Sequence, residues 1–195
     1  VRVISGKAGG RILKAVPGMG TRPTTDKVKE AVFSMIGPYF EGGVAIDLFA
    51  GTGGLGIEAL SRGMDRAIFT DCERKSVEIV RENLRITGLE QQAEVYRNDA
   101  FRALKALAKR NVQADLIFLD PPYRLEIIEE LLLKIGEYRL AREGAVAVAE
   151  QDASRLLPER IGSFERLRRS DYGETAIHLY AFRETKQEET GRDHP

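Results

Sequence analysis

Asp120, Pro121, Pro122 and Tyr123 directly follow the apolar run Leu116-Ile-Phe-Leu119. A carboxylate, two prolines and an aromatic ring at the end of a buried strand can hold a planar exocyclic amine. The carboxylate and the Pro121 carbonyl accept N–H bonds, and proline brings no competing donor. The Tyr123 ring offers a face on which a flat base can stack. The exocyclic amine of a purine is a poor nucleophile, because its lone pair is delocalised into the ring. Accepting both amine hydrogens turns the lone pair toward an electrophile. Alignment of the reacting atoms supplies most of the gain, and stabilising the charge that develops on nitrogen adds to it. An ionised carboxylate only accepts. Guanine presents donors at N1 and N2, whereas adenine presents a mixed edge, so Asp120 suits guanine better. The alternative for these four residues is a strand-end turn closed by a capping aspartate.

Upstream lies a glycine turn, Asp47-Leu-Phe-Ala-Gly51-Thr-Gly53-Gly54-Leu-Gly56. The glycines let the chain bend tightly and let backbone N–H groups approach a ligand. This spacing alone is shared with dinucleotide-binding enzymes. Asp47 separates the cases: an acid just before the turn suits an ammonium or sulfonium and repels a pyrophosphate. The turn is therefore read as a site for S-adenosylmethionine, with a nicotinamide or flavin nucleotide, or a purely structural loop, as the alternatives. Asp71, twenty residues after Gly51, stands where a carboxylate accepts ribose hydroxyls; its other reading is a helix cap. Asp99 is placed to accept from an adenine amino group or to cap the helix that follows, or both. Phe49 and Ala100 pack near the cofactor or in the core. In this order the motifs point to methyl transfer onto a base nitrogen.

These residues need a frame. Apolar runs at 44–48, 67–70, 93–96, 114–119 and 145–149 alternate with helical spacings at 54–62, 74–86, 101–110 and 127–135. Such alternation predicts βαβ units and a mostly parallel sheet with helices on both faces. Two further β-like runs, 164–168 and 175–182, complete an expected seven-stranded sheet. Asp47, Asp71, Asp99 and Asp120 all fall at strand carboxyl ends, where ligands bind in such folds. Residues 1–40 read as a separate small segment: a hairpin, 1–5 with 11–15 around Gly6-Lys-Ala-Gly-Gly10, then a helix over 27–36 capped by Thr24 or Thr25. Residues 41–183 form the main domain, and 184–195 a polar, disordered tail.

Net charge is zero, but its distribution is uneven. Residues 1–40 carry seven Lys/Arg against two acids. That basic segment, with Arg2, Lys7, Arg11, Arg22, Thr24 and Lys29 as candidate contacts, predicts RNA binding; a lysine-rich solvated surface is the alternative. There is no apolar stretch of about 18 residues for a membrane span, and the amino terminus lacks the apolar core of a signal peptide. The single cysteine, Cys72, excludes an internal disulfide framework. His178 and His194 are the only histidines, which argues against a zinc site. His178 reads as a hydrogen-bonded structural histidine. A cytoplasmic monomer without metal is expected.

The chain resembles the bacterial small-subunit rRNA guanine-N2 methyltransferases of the RsmD type over roughly residues 1–183. The likeness rests on Arg2-Val-Ile-Ser-Gly6 with Gly10-Arg11, on Arg22-Pro-Thr-Thr-Asp26 through Glu30-Ala-Val-Phe33, on the glycine turn with Glu58-Ala-Leu-Ser-Arg-Gly63, and on Asp120-Pro-Pro-Tyr123. The two amino-terminal blocks are the more particular to that family. The resemblance implies a class I, Rossmann-like methyltransferase fold with S-adenosylmethionine as donor. It implies the N2 of one guanine, the 966-type position of 16S rRNA, as acceptor, in an assembled or partly assembled small subunit. Asp71 stands where the family more often has glutamate. The rival readings are an N6-adenine DNA methyltransferase, a nicotinamide oxidoreductase and a non-catalytic ribosome-assembly factor.

Overall fold

The computed structural model describes residues 1–18 and 25–184. Its elements are α1 (Asp26–Ile36), β1 (Val44–Asp47), α2 (Gly54–Ser61), β2 (Arg66–Asp71), α3 (Arg74–Thr87), a 3-10 turn (Glu90–Gln92), β3 (Ala93–Arg97), α4 (Ala100–Lys109), β4 (Ala114–Leu119), α5 (Ile128–Glu137), β5 (Ala141–Asp152), β6 (Arg160–Ile161), β7 (Phe164–Tyr172) and β8 (Thr175–Phe182). The strands form one sheet in the order β3-β2-β1-β4-β5-β8-β7-β6. The first five are parallel, and β8, β7 and β6 close the sheet antiparallel.

The sheet has eight strands, not the expected seven. The extra strand, β6, is two residues long and pairs Arg160 and Ile161 with Glu165 and Phe164. Two residues carry no readable alternation. β5 is also longer than its apolar run: it continues through Glu150, Gln151 and Asp152, each paired with β8.

The order reverses between β1 and β4. Chain connections leave these two neighbours in opposite directions, which opens a crevice at their carboxyl ends. Asp47 and Asp120 stand there.

Two apolar layers cover the sheet. One packs Leu104 and Leu107 of α4 and Leu131, Leu132 and Ile135 of α5 on Ile117, Leu119, Tyr180 and Phe182. The other packs Val32 and Phe33 of α1, Ile57 and Leu60 of α2, and Val80 and Leu84 of α3 on Phe69 and Phe118. Val3, Ala8 and Leu13 belong to this second layer. The amino-terminal segment thus shares the core of the main domain.

The expected hairpin is reduced to a single bridge, Arg2 with Ile12. Val3 N donates to Arg11 O (2.9 Å) and Gly10 N to Val3 O (2.8 Å). The turn doubles back on Gly6 and Gly10 at φ +87° and +88°, a region open to glycine at little cost. A Cβ on Gly6 would sit 1.9 Å from Ser61 O, so the turn presses directly on the end of α2. Thr25 caps α1 by accepting from Val28 N (3.3 Å). Arg22, Thr24 and the tail beyond Glu184 lie outside the described residues.

Candidate active site

Asp47 ends β1 and is 1% exposed. Its Oδ1 has no partner among the described residues. Burial first, and then the nearby Asp71 carboxylate, push its pKa up to about 7, while the Phe49 and Gly56 amides pull the other way. A buried acid with one unsatisfied oxygen is costly. Such an oxygen is able to accept from a cationic or N–H-bearing group.

The glycine turn supplies the matching space. Gly51 and Gly53 hold φ +56° and +83°. A Cβ on Gly51 would meet nothing within 4 Å, so this position faces open room. A Cβ on Gly56 would come 2.3 Å from the Phe69 ring, so the third glycine lets α2 lie tight on β2. Asp71 Oδ2 accepts from Gly51 N and its Oδ1 from Glu73 N, both at 2.9 Å. Asp71 therefore shapes the turn as well as facing it, and burial raises its pKa. Asp99 is the N-cap of α4, accepting from Arg102 N at 3.1 Å. Ala100 is buried in the α4 layer and Phe49 packs against that layer.

Across the switch point, Pro121 is buried and Asp120 half-buried. The Asp120 pKa is raised by burial, then by Glu150 and by Asp47. Tyr123 is 37% exposed. Its hydroxyl is fixed by Thr175 Oγ1 at 2.6 Å and lies 3.5 Å from Glu150 Oε1. The ring is thus tethered at its tip to the β5–β8 pair and keeps part of its surface open.

The site therefore unites Asp47, the glycine turn and Asp71 on one side with Asp120-Pro-Pro-Tyr123 on the other. Glu150 and Thr175 were not foreseen. Glu150 had a signal: like Asp71 and Asp120, it is an acid directly following a strand's apolar run.

The predicted basic contacts divide. Arg2, Lys7 and Arg11 are exposed. Arg2 pairs with Asp26 at 3.5 Å. Lys7 reaches Gln92 Oε1 at 2.6 Å, and its amide donates to Ser61 O, at the far end of α2 from the glycine turn. At 1.5 Å per residue that end is roughly 12 Å from the crevice. Lys29 is corrected outright as a surface contact: it is 1% exposed. Its ammonium binds Arg2 O and faces Glu58 at 3.7 Å. Glu58 also accepts from Arg62 Nε (2.8 Å), Ile4 N (2.9 Å) and Ser5 N (3.2 Å). The cation is needed inside because a buried carboxylate is needed there. His178 is a second correction. It is fully buried, and neither ring nitrogen has a partner among the described residues.

The sheet order, the switch-point crevice and the acid-flanked glycine turn define a class I methyltransferase fold. The structure of yhhF from Escherichia coli superposes with a TM-score of 0.80 at 30% identity, over 95% of this chain and 99% of that one. An RNA methyltransferase from Salinibacter ruber, solved with S-adenosyl-L-homocysteine, shares the fold at a TM-score of 0.63 and 20% identity, over 86% and 97%. The family described as Conserved hypothetical protein 95 matches residues 1–181. The chain belongs to that family, which is the RsmD-like family. It is 53% identical over 180 residues to YlbH of Bacillus subtilis, covering 92% of this chain and 98% of that one. It is 30% identical over 180 residues to ribosomal RNA small subunit methyltransferase D of Escherichia coli, covering 92% and 89%.

Proposed function

We propose that this protein transfers the methyl group of S-adenosylmethionine to the exocyclic N2 of one guanine, the 966-type position, in small-subunit 16S rRNA. Methylation of rRNA with this donor is the family's chemistry. The guanine, its N2 and its setting in an assembled or partly assembled subunit are the finer reading. The observation that carries it is the meeting of two features at one switch point. One is a buried carboxyl with an unsatisfied oxygen, Asp47. The other is Asp120-Pro-Pro-Tyr123, with an acceptor-only carboxylate at its head.

When bound, S-adenosylmethionine supplies an electrophilic methyl on a positively charged sulfur. Asp47 and the Gly51–Gly56 turn hold its amino-acid end, Asp71 its ribose and Asp99 its adenine, with Phe49 and Ala100 beside it. The ionised Asp120 and the Pro121 carbonyl accept the two N2 hydrogens. Pro122 stiffens the turn, since its φ is fixed. Tyr123 stacks on the base, which must leave its own stack to enter. Positioning and charge stabilisation then do the work. Arg2 and Arg11, with Arg22 and Thr24 from outside the described residues, are the proposed phosphate contacts; Lys7 stands farther off, and Lys29 acts only through the fold.

The test uses labelled S-adenosylmethionine and small subunits from cells lacking the modification, followed by digestion of the RNA. Label in N2-methylguanosine is the expected outcome. Label in N6-methyladenosine would overturn the guanine assignment. Donor binding with no label on any ribosomal particle would favour a non-catalytic assembly factor.

A further inference from the structure

A base drawn out of its stack stays joined to backbone phosphates, and the reading above gives those phosphates nothing to hold beside the base pocket. Acids gather at this rim: Asp47, Asp71, Asp99 and Asp120 stand at or just past strand carboxyl ends. A polyanion approaching them meets like charge. Two cations near the rim, Arg97 and Arg102, stand on the donor side. Arg97 ends β3 and donates to Cys72 O at 3.2 Å, and Arg102 follows Asp99 on α4. The substrate strand needs a cation on the acceptor side, beside Tyr123.

Arg124 stands there. Leu125 N donates to Pro122 O at 2.9 Å and closes a tight turn whose two corner residues are Tyr123 and Arg124. The turn is braced on both sides. Ahead of Arg124, the Tyr123 hydroxyl is fixed by Thr175 Oγ1 at 2.6 Å. Behind it, Glu126 pairs with Arg155 at 2.6 Å, which engages the acid nearest to Arg124 along the chain. Arg124 itself is exposed, and among the described residues its side chain makes no hydrogen bond, ion pair or ring contact.

We propose that Arg124 grips a backbone phosphate of the target nucleotide while Tyr123 stacks on its base. The proposal rests on the reading above of a flipped-out base in rRNA. Base and phosphate are neighbouring parts of one nucleotide, as Tyr123 and Arg124 are neighbours on one turn. A guanidinium fork meets two phosphate oxygens at once. Because the turn is already braced, ordering this arm costs less than it would on a loose loop. The grip holds the strand rotated out against its tendency to restack. It is separate from the contacts proposed for Arg2 and Arg11, which belong to the amino-terminal segment and not to the base-holding turn.

The experiment measures methylation of small subunits lacking the modification, over a series of salt concentrations, for the wild type, Arg124→Gln and Arg124→Lys, with the product nucleoside identified. Arg124 is exposed and unpaired among the described residues, so neither substitution should touch the fold. Losing one contact to a single-stranded phosphate makes the fall of log kcat/KM with log salt shallower by about 0.7. Arg124→Gln is expected to show that change, with kcat/KM reduced about ten-fold at low salt and the gap narrowing as salt rises. The loss falls on KM, with kcat within about two-fold, because the grip is equal in the bound and transition states. Arg124→Lys keeps the charge and should keep the wild-type slope. Donor affinity without RNA stays within about two-fold in both variants. An unmoved slope in Arg124→Gln, whatever its rate, shows a merely local role in the turn and overturns the proposal. A slope in Arg124→Lys as shallow as that of Arg124→Gln also overturns it, since charge would then not be what counts. A wild type that methylates no RNA sinks the functional reading itself, whereas methylation with unmoved slopes sinks only the phosphate contact.

Discussion

Asn83 grips Lys14 by both backbone atoms. Its Oδ1 accepts from Lys14 N at 2.8 Å and its Nδ2 donates to Lys14 O at 3.0 Å. The same Nδ2 donates to Thr52 O at 2.8 Å, inside the glycine turn. One fully buried amide of α3 therefore fastens the basic amino-terminal segment and the glycine turn together. Asn83→Leu keeps the size and removes all three bonds. Buried groups left unpaired cost about 1–3 kcal/mol, so stability should fall by that order in urea denaturation. Donor affinity should weaken about ten-fold, because Thr52 no longer has a fixed carbonyl. The Lys14 amide should lose its protection from hydrogen exchange. Unchanged donor affinity with a freed Lys14 amide would show that the segment and the turn are independent.

The buried ions make a separate prediction. Glu58 is bracketed by Lys29 and Arg62, with side chains at most 4% exposed. Removing one member of such a set strands the others and costs about 3–5 kcal/mol. Lys29→Ala and Glu58→Ala should each lower the urea midpoint by an amount of this order. Affinity of the folded Lys29→Ala protein for RNA should not change, since burial and not phosphate holds Lys29. A weaker affinity at full stability would restore Lys29 as an RNA contact.

These examples show what was legible. The placement of Asp47, the glycine turn and Asp120-Pro-Pro-Tyr123 at one crevice could be read because each is a local run at a strand's carboxyl end. The parallel core of the sheet could be read because apolar runs alternated with helical ones. Lys29 could not be placed, since its burial depends on Glu58, far along the chain. Asn83 carried only a weak signal, a polar residue on the apolar face that Val80 and Leu84 share. Glu150 follows its apolar run as Asp120 does, but its place inside β5 was hidden because the pairing there comes from β8. Each of these depends on a contact between distant segments, which spacing along the chain does not encode.

Tyr123 separates stacking from tethering. Tyr123→Ala removes the platform, worth about 1–3 kcal/mol for a base, and should lower kcat/KM roughly 10- to 100-fold. Tyr123→Phe keeps the ring and loses the hydroxyl's bonds to Thr175 and, at 3.5 Å, to Glu150, so a few-fold loss is expected, near the net value of about 1 kcal/mol for a hydrogen bond. Asp120→Ala should abolish transfer while donor binding persists. Kinetics on small subunits with all three variants check the order. Full activity in Asp120→Ala would remove the assignment of the site.

His178 predicts a pH dependence. Burial first, then Arg169 and Arg166, depress its pKa from 6.5 to about 4. A histidine depressed in the folded state favours folding above the unfolded pKa. That stability is lost as pH falls through 6.5 toward 4. At pH 5 the loss is about 2 kcal/mol. His178→Leu has no proton to bind, so its stability relative to the wild type should improve by about this much between pH 7.5 and 5. Urea midpoints at the two pH values measure it. An equal difference at both would mean that His178 is not held neutral.

Asp47 gives the opposite slope. Its folded pKa, about 7, lies above the ordinary carboxylate value of 3.8. A raised acid leaves the fold most stable below its unfolded pKa, and that stability is lost as pH rises through 7. Above that pH the buried charge costs the donor-free protein about 3 kcal/mol or more. Asp47→Asn keeps the shape and never ionises. It should stabilise the donor-free protein at pH 8, change little at pH 4, and weaken donor binding at least ten-fold, since the unsatisfied Oδ1 and its charge are what a cationic ligand answers. Thermal unfolding at both pH values, with and without donor, decides the matter. A variant no more stable at pH 8 would mean the carboxylate is already relieved within the fold. Asp47 would then be a structural acid, and the donor's ammonium would need another partner.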